Sequence, residues 1–397
     1  MPMARPRFIY LCNALDEKVC EERRITSDSP AATRKVLQVA LALRQQAVGA
    51  MALSLGRGRQ LGTGKWFSAR ATRVSGVPVV YAPFFDFPVI THLVTLLGLL
   101  PLVVRLRTRS VSPVILAYNR LPHYWLAMEL ARLFGFRRFL DLEDGDTRIE
   151  KNGVRERIAC SMSARFNKLC DAGAMLASNA LGRQYIGQNT ICCYGVAEAN
   201  GAKRDWRSGK IVVLLGGTLQ RDTGANLFIE AIELLRNASG ERMEELDFVV
   251  TGKGEMASAI KSLADRPGLP KVIFLGSVSR ERYRSVVARA HVGLCLKLPS
   301  SDLGDTTFPS KVVEIASSGM LLLTTRVSDV PRLFMEDGAL YLEDESPEQL
   351  AGLLRWLIDN RDTAESIALS GQARISEICR RETVGKSLKN FFFPPPH

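Results

Sequence analysis

Residues 210–235 read KIVVLLGGTLQRDTGANLFIEAIELL, and the fold follows from this stretch. Ile211 to Leu215 is an unbroken apolar run, so Lys210 to Leu215 reads as a buried strand. Gly216-Gly217-Thr218 is its tight exit. Ala225 to Arg236 then repeats apolar residues at helical spacing. Strand, glycine turn and helix in that order open an α/β sheet. The unit recurs downstream. Leu246 to Thr251 is a strand ending at Gly252-Lys253-Gly254, and Lys271 to Leu275 is one ending at Gly276. His291 to Leu296 is a strand, Ser310 to Ser318 a helix, and Met320 to Thr324 a strand.

The same alternation appears upstream. Arg7 to Cys12 reads as a short buried strand. Ser29-Pro30 is a cap followed by a favoured first helical residue, and Val36, Val39, Ala40 and Leu43 follow at helical spacing. Val77 to Tyr81 and Val114 to Tyr118 are strands. Pro122 opens a helix that Gly135 ends. Phe136 to Leu142 is a strand closing on the acidic group Asp141, Glu143, Asp144 and Asp146, and Cys170 to Ser178 carries a further strand. Between Tyr194 and Lys210 the hydrophobic pattern lapses, which reads as a linker. The expectation is an α/β protein of two Rossmann-like, doubly wound domains.

Composition bounds the partners. The chain has 397 residues and a formal charge of +12, with 46% hydrophobic and 24% charged side chains. Disordered, collagen and coiled-coil classes are excluded. Residues 1–200 hold 27 Lys and Arg against 15 Asp and Glu, while residues 201–397 hold 26 of each. The whole excess therefore lies in the first half, which predicts an anionic partner there: nucleic acid, an acidic membrane surface or a phosphorylated substrate. No helix-turn-helix, zinc spacing or RNP-like aromatic pattern supports nucleic acid. The cysteines Cys12, Cys20, Cys160, Cys170, Cys192, Cys193, Cys295 and Cys379 form no C-x-x-C pair and have no histidine cluster beside them. They read as reduced thiols of a cytoplasmic protein without a bound metal. The N-terminus, Met1 to Arg5 running into Phe8-Ile9-Tyr10-Leu11, lacks the apolar region of a signal peptide.

Residues 87–104 contain no charged side chain, the lower length limit for a membrane span. Pro88, Thr91, His92, Thr95, Gly98 and Pro101 interrupt the run, and Arg105, Arg107 and Arg109 follow it. Three readings stand: a buried helix, a helix seated on anionic lipid, and a true span.

The chemistry should sit at the carboxyl ends of the strands, where open α/β sheets bind ligands. Gly216 and Gly217 allow close backbone approach, and Arg221 adds a guanidinium suited to phosphate. Gly252 and Gly254 repeat the glycine signal, and Gly276-Ser277-Val278 ends a third strand. The densest stretch is Asp305-Thr306-Thr307-Phe308-Pro309-Ser310-Lys311-Val312-Val313-Glu314. Pro309 lies near a helix start, where backbone N–H groups favour phosphate, and Lys311 adds charge. Glu314, a turn further on, suits ribose hydroxyls. The plain alternative is a capped helix with an exposed Lys and Glu.

In this order and spacing the segments from about Ile211 to the C-terminus resemble the nucleotide-binding domain of the family 4 (group 1) glycosyltransferases, which have the GT-B fold. The resemblance implies two Rossmann-like domains facing a central cleft. It implies an acceptor domain at residues 1–200, a nucleotide-sugar domain at 201–380, and a last segment, 381–397, returning to the first. It also implies a retaining hexosyltransferase without metal or cofactor, acting through an oxocarbenium-like transition state on a UDP- or GDP-sugar. Donor contacts fall on Gly216, Gly217, Gly252, Gly254, Ser277, Val278, Asp305, Thr306, Phe308, Pro309, Ser310 and Glu314. Arg221 and Lys311 would stabilise the departing diphosphate. With the basic first half and the 87–104 stretch, the setting is a glycan or lipid-linked acceptor at the inner membrane face, as in bacterial surface polysaccharide assembly.

Three departures from the family pattern stand out. Thr223-Gly224 replaces the common Lys-Gly, which removes one phosphate-binding cation. Thr306 replaces the first of two paired glutamates, with Asp305 beside it. Glu143-Asp144 occupies the place of a histidine, while His123 lies elsewhere. Either Glu143 takes over that role in positioning the donor sugar, or the acidic loop balances the many arginines. A non-catalytic scaffold of the same fold and a basic nucleic-acid-binding protein are the alternatives.

Overall fold

The computed structural model describes residues 6–25, 29–58, 64–87, 90–107, 113–145, 154–185, 187, 189–197, 204–237, 242–268, 270–301, 304 and 306–395. Of the residues singled out above, Pro88, Arg109, Asp146, Asp305 and the stretch 1–5 lie outside these. The chain divides into two compact units, Met1–Val196 with Arg381–His397, and Ala197–Arg380.

The first unit runs β1 (Arg7–Cys12), α1 (Glu17–Glu22), α2 (Pro30–Gln45), β2 (Gly49–Ser54), β3 (Trp66–Phe67), β4 (Arg70–Val74), β5 (Val77–Tyr81), β6 (Phe84–Phe85), α3 (Ile90–Gly98), α4 (Leu100–Arg107), β7 (Pro113–Tyr118), α5 (Trp125–Leu133), β8 (Arg137–Leu142), α6 (Val154–Leu169), β9 (Gly173–Leu176) and β10 (Thr190–Cys192). Its main sheet has the order β10-β9-β8-β7-β1-β2-β5-β4 and is parallel except for β4, which pairs antiparallel with β5. Strand order reverses between β1 and β7, a topological switch point. β3 and β6 form a separate antiparallel ribbon. Arg23, almost fully buried, ties this ribbon to the sheet. It donates to the Gly56 and Ala82 carbonyls at 2.7 and 3.2 Å and lies within 6.0 Å of the Phe67, Tyr81 and Phe84 rings.

Ser29 caps α2 by accepting from the Ala32 N–H, and Val36, Val39, Ala40 and Leu43 form its buried face. The uncharged 87–104 stretch is not one helix. α3 and α4 are separate, and no helix among the described residues is long and apolar enough to cross a membrane.

The second unit runs β11 (Ile211–Thr218), α7 (Ala225–Asn237), β12 (Leu246–Lys253), α8 (Ala257–Asp265), β13 (Lys271–Gly276), α9 (Arg280–Arg289), β14 (Val292–Cys295), α10 (Lys311–Ser317), β15 (Leu321–Thr325), α11 (Val330–Phe334), β16 (Leu340–Leu342), α12 (Pro347–Asp359) and α13 (Arg361–Ile378). All six strands are parallel, in the order β13-β12-β11-β14-β15-β16, so order reverses between β11 and β14. The stretch read as a linker is partly built into this unit. Arg204 and Trp206 are buried, and the Arg204 guanidinium donates to the carbonyls of Val287 (2.9 Å), Ala290 and Ser318. The apolar-lapse criterion missed it because a guanidinium bonded to three carbonyls is buried without being hydrophobic.

The last helix, α14 (Arg381–Phe392), packs against α2 and the first sheet. The Phe392 ring lies 5.0 Å from Phe8 and 4.9 Å from Phe139, within the spacing of favourable aromatic pairs. The seven cysteines with described side chains are free thiols. Burial pushes Cys12 up to about 12 and Cys295 up to about 11, which keeps both protonated and unreactive.

Candidate functional site

Lys311, the first residue of α10, reaches back over the carboxyl end of β11. Its ammonium donates to the Gly216 carbonyl and lies 5.9 Å from the centre of the Tyr283 ring. A Cβ placed on Gly217 would stand 2.6 Å from Lys311 Nζ and would displace the ammonium, and at φ 113° an L side chain is strained, so the position suits glycine. Gly216, Gly217 and Lys311 are thus brought together at the switch point of the second sheet. Tyr283 joins them from α9. The sequence reading missed it, since an aromatic on a surface helix carries no spacing signal.

Gly252 and Gly254 have a different reason to be glycine. A Cβ on Gly252 would lie 1.8 Å from the Gly217 carbonyl oxygen, and one on Gly254 would lie 2.2 Å from that of Leu219. Close backbone packing within the unit accounts for both. Gly252 also has φ 134°, where L side chains are strained.

The turn after β11 explains Thr223. Its hydroxyl approaches the carbonyls of Thr218 (2.8 Å) and Gln220 (2.9 Å), and it accepts from the Gln220 N–H at 3.0 Å. Thr223 therefore closes the turn. Arg221 is exposed, with its backbone N–H donating to Glu255 at 3.2 Å. No side-chain hydrogen bond or ion pair of Arg221 occurs among the described residues. Lys297, just beyond β14, pairs with Asp222 at 2.5 Å, and the Leu298 N–H donates to the Asp222 carbonyl at 2.9 Å. These contacts hold the loops after β11 and β14 together across the switch point. A lysine two residues past a strand end is the signal that would have singled out Lys297.

The loop before α10 is mixed. Phe308 is buried, so its ring is packed away from solvent. Thr306 and Pro309 are half-buried and Ser310 is exposed. Ser310 makes no side-chain cap, and α10 begins one residue later than expected. The buried Thr307 hydroxyl has no hydrogen-bond partner among the described residues. Glu314, half-buried, lies one turn beyond Lys311 on the same face of α10. Ser277 and Val278 follow β13, with Ser277 exposed.

In the first unit the acidic loop is already engaged. Lys35 of α2 pairs with both Asp141, at 2.9 Å, and Glu143. The fully buried Asp141 also accepts from the Tyr10 hydroxyl. Burial, with the Asp141 charge added, pushes the Tyr10 phenol well up, so it remains a donor. The Glu143 N–H donates to Asn119 at 2.9 Å, and Asn119 Nδ2 donates to Asp144 at 3.5 Å. The partner of Glu143 here is thus a lysine of α2, where the sequence pointed to the arginines. Nearby, Arg57 donates to His123 Nε2 at 2.9 Å. Burial lowers the Arg57 pKa. Among the described residues no group of three or more His, Cys, Asp or Glu could hold a metal ion.

The sequence family described as glycosyl transferases group 1 matches residues 197–374. Those residues form a group 1 glycosyltransferase domain. The chain is 28% identical over 151 residues to the phosphatidylinositol N-acetylglucosaminyltransferase GPI3 subunit of Saccharomyces cerevisiae, covering 38% of this chain and 31% of that protein. It is 28% identical over 145 residues to a phosphatidylinositol N-acetylglucosaminyltransferase component from Arabidopsis thaliana, covering 36% and 30%. The matches therefore span about a third of these relatives' length. Among solved structures, sucrose-phosphate synthase from Thermosynechococcus elongatus matches with TM-score 0.70 at 13% identity, covering 98% of each chain. Anabaena HepE in complex with UDP and glucose matches with TM-score 0.66 at 14% identity, over 98% of this chain and 99% of that one. The glycosyltransferase domain thus belongs to a chain with the GT-B fold.

Proposed function

We propose that the protein transfers a sugar from a nucleotide-sugar donor, UDP-linked in the first instance, to a lipid-linked acceptor. The observation that carries the reading is the Lys311 ammonium lodged against Gly216 and Gly217 at the switch point of a glycosyltransferase domain. An ammonium held there, with the exposed Arg221 on the next turn, is suited to the charge that builds on a departing diphosphate. Such preorganised cations take the part a metal ion plays elsewhere, so we propose no metal requirement. Glu314 is the proposed ribose ligand, and transfer with retention follows the family resemblance. HepE, solved with UDP, supports the choice of nucleotide. The phosphatidylinositol-modifying relatives support an acceptor held in a membrane, a setting that cytoplasmic-face assembly of bacterial surface polysaccharide provides.

The test is a thermal-shift screen across UDP-, GDP- and ADP-sugars, repeated with Glu314→Ala. Stabilisation by a UDP-sugar that Glu314→Ala abolishes is the expected result. A shift that persists unchanged in Glu314→Ala overturns the donor assignment. Stabilisation by no nucleotide sugar replaces the catalytic reading with a non-catalytic scaffold of the same fold.

A further inference from the structure

The helix α3 is amphipathic the wrong way round for a helix facing water. Ile90, Leu93 and Leu97 recur at i, i+3 and i+7, the spacing of one helical stripe, and all three point outward. The polar side packs inward. Thr95 is fully buried and its hydroxyl donates to the Thr91 carbonyl at 2.6 Å. α3 packs against β6 and α5, whose edges extend the apolar face. On the ribbon, Trp66 lies 6.4 Å from Phe85, which stacks 6.2 Å from Phe87. Trp125 opens α5. Trp66, Phe87, Ile90, Leu93, Leu97 and Trp125 are each 43–56% exposed. Six large apolar side chains exposed on elements that pack against one another mark an interaction site.

The surrounding charge says what covers it. From Ser29 to Met128 the chain carries 12 Lys and Arg and a single acid, Asp86. Asp86 is buried, so its charge does not face out. By count, nearly all of the protein's net charge lies in the segment that bears this face; two of its cations are engaged elsewhere, Lys35 with Asp141 and Glu143 and Arg70 with Glu22. Exposed Lys65 directly precedes Trp66, and exposed Arg105 lies on α4. An apolar face with aromatic side chains and a cationic surround complements a lipid interface with anionic head groups. At 1.5 Å per residue α3 is about 13 Å long, far short of the roughly 30 Å hydrocarbon core. It can lie in the interface and cannot cross it.

We propose that α3 and the β3–β6 ribbon seat the protein on an anionic bilayer. This deepens the membrane-held acceptor reading and rests on it for its purpose, while the docking itself rests on the first unit alone.

The test is co-sedimentation of the full chain with vesicles of phosphatidylcholine, with and without about 30 mol% phosphatidylglycerol. The wild type should partition at least about tenfold more strongly onto the anionic vesicles, and raising salt from about 0.1 to about 0.5 M should weaken that binding. Leu93→Glu with Leu97→Glu should lose at least about tenfold in partitioning. Both positions are exposed, so its unfolding temperature and nucleotide-sugar thermal shift should match the wild type. Leu93→Ser with Leu97→Ser removes the apolar surface without adding charge and should also bind weakly. No partitioning of the wild type, or undiminished partitioning of both variants, overturns the proposal. So does self-association that disappears in the variants without vesicle binding, which would make a second copy the occupant. Vesicle binding through α3 in a protein that binds no nucleotide sugar would support the docking and refute the donor reading.

Discussion

Replacing Lys311 by Met isolates the proposed phosphate-binding charge while keeping the length of the side chain. The ammonium is half-buried beneath the β11 turn, where an effective dielectric near 20 is appropriate. A diphosphate charge about 4 Å away would then interact by about 4 kcal/mol. Lys311 already donates to the Gly216 carbonyl, and water replaces part of the lost charge, so about 2–3 kcal/mol should be forfeited. That is roughly 30- to 150-fold in Kd. The structural cost is smaller. One charge-assisted hydrogen bond at a half-exposed site is worth about 1 kcal/mol, a fall of about 2–4 °C in Tm for a unit of this size. Calorimetric titration with the nucleoside diphosphate that stabilises the wild type most measures the first quantity, and scanning calorimetry of the free protein measures the second. Lys311→Arg should recover most of the affinity. A Lys311→Met protein that binds within threefold of the wild type would refute the placement of the diphosphate beside Gly217.

Three other perturbations test the scaffold around the sites. Gly252→Ala sets a methyl group 1.8 Å from the Gly217 carbonyl oxygen at φ 134°, and should destabilise the second unit by about 4 kcal/mol or more in urea unfolding. Lys35→Met leaves the fully buried Asp141 without its cation and should cost about 3–5 kcal/mol, well beyond Glu143→Gln, in the same measurement. His291 accepts from the Val212 N–H through Nδ1, its Nε2 lies 3.1 Å from the Asp205 carbonyl, and burial lowers its pKa below 6.5. Protons then bind the unfolded chain more readily than the folded one, so Tm should fall as pH drops below about 6.5 toward the depressed folded value, and His291→Gln should flatten that slope.

Local pattern was enough for much of the architecture. Arg7–Cys12 and Val77–Tyr81 are strands with the bounds the sequence suggests: the first is buried on both faces, where continuous hydrophobicity suffices, and the second alternates buried and half-buried residues. The α2 start was legible because Ser29-Pro30 acts on its own backbone. β2, Gly49–Ser54, was not legible. Its Gly, Ala and Ser have weak strand preference, and it exists because β1 and β5 pair with it on either side. The site divides in the same way. Gly216, Gly217 and Lys311 stood out as residue types suited to phosphate. That Lys311 lies against the glycine turn, 95 positions away in the chain, depends on β11 and β14 being neighbours in the sheet.

Glu143 shows what local reading cannot supply. Its partner Lys35 comes from a helix 108 residues earlier, and only the parallel sheet brings the two together. The direction in which α3 faces is of the same kind. Composition marked residues 87–104 as apolar, but a stripe of Ile and Leu is the same string whether it faces a core or the outside. The packing of α3 against β6 and α5 turned that stripe outward. The sequence by itself determined the strand–helix alternation, the glycine turns and the location of the net charge, all properties of residues and their near neighbours. Tertiary structure alone decided which charges meet and which apolar face is left exposed, because both depend on contacts between segments that the chain order keeps far apart.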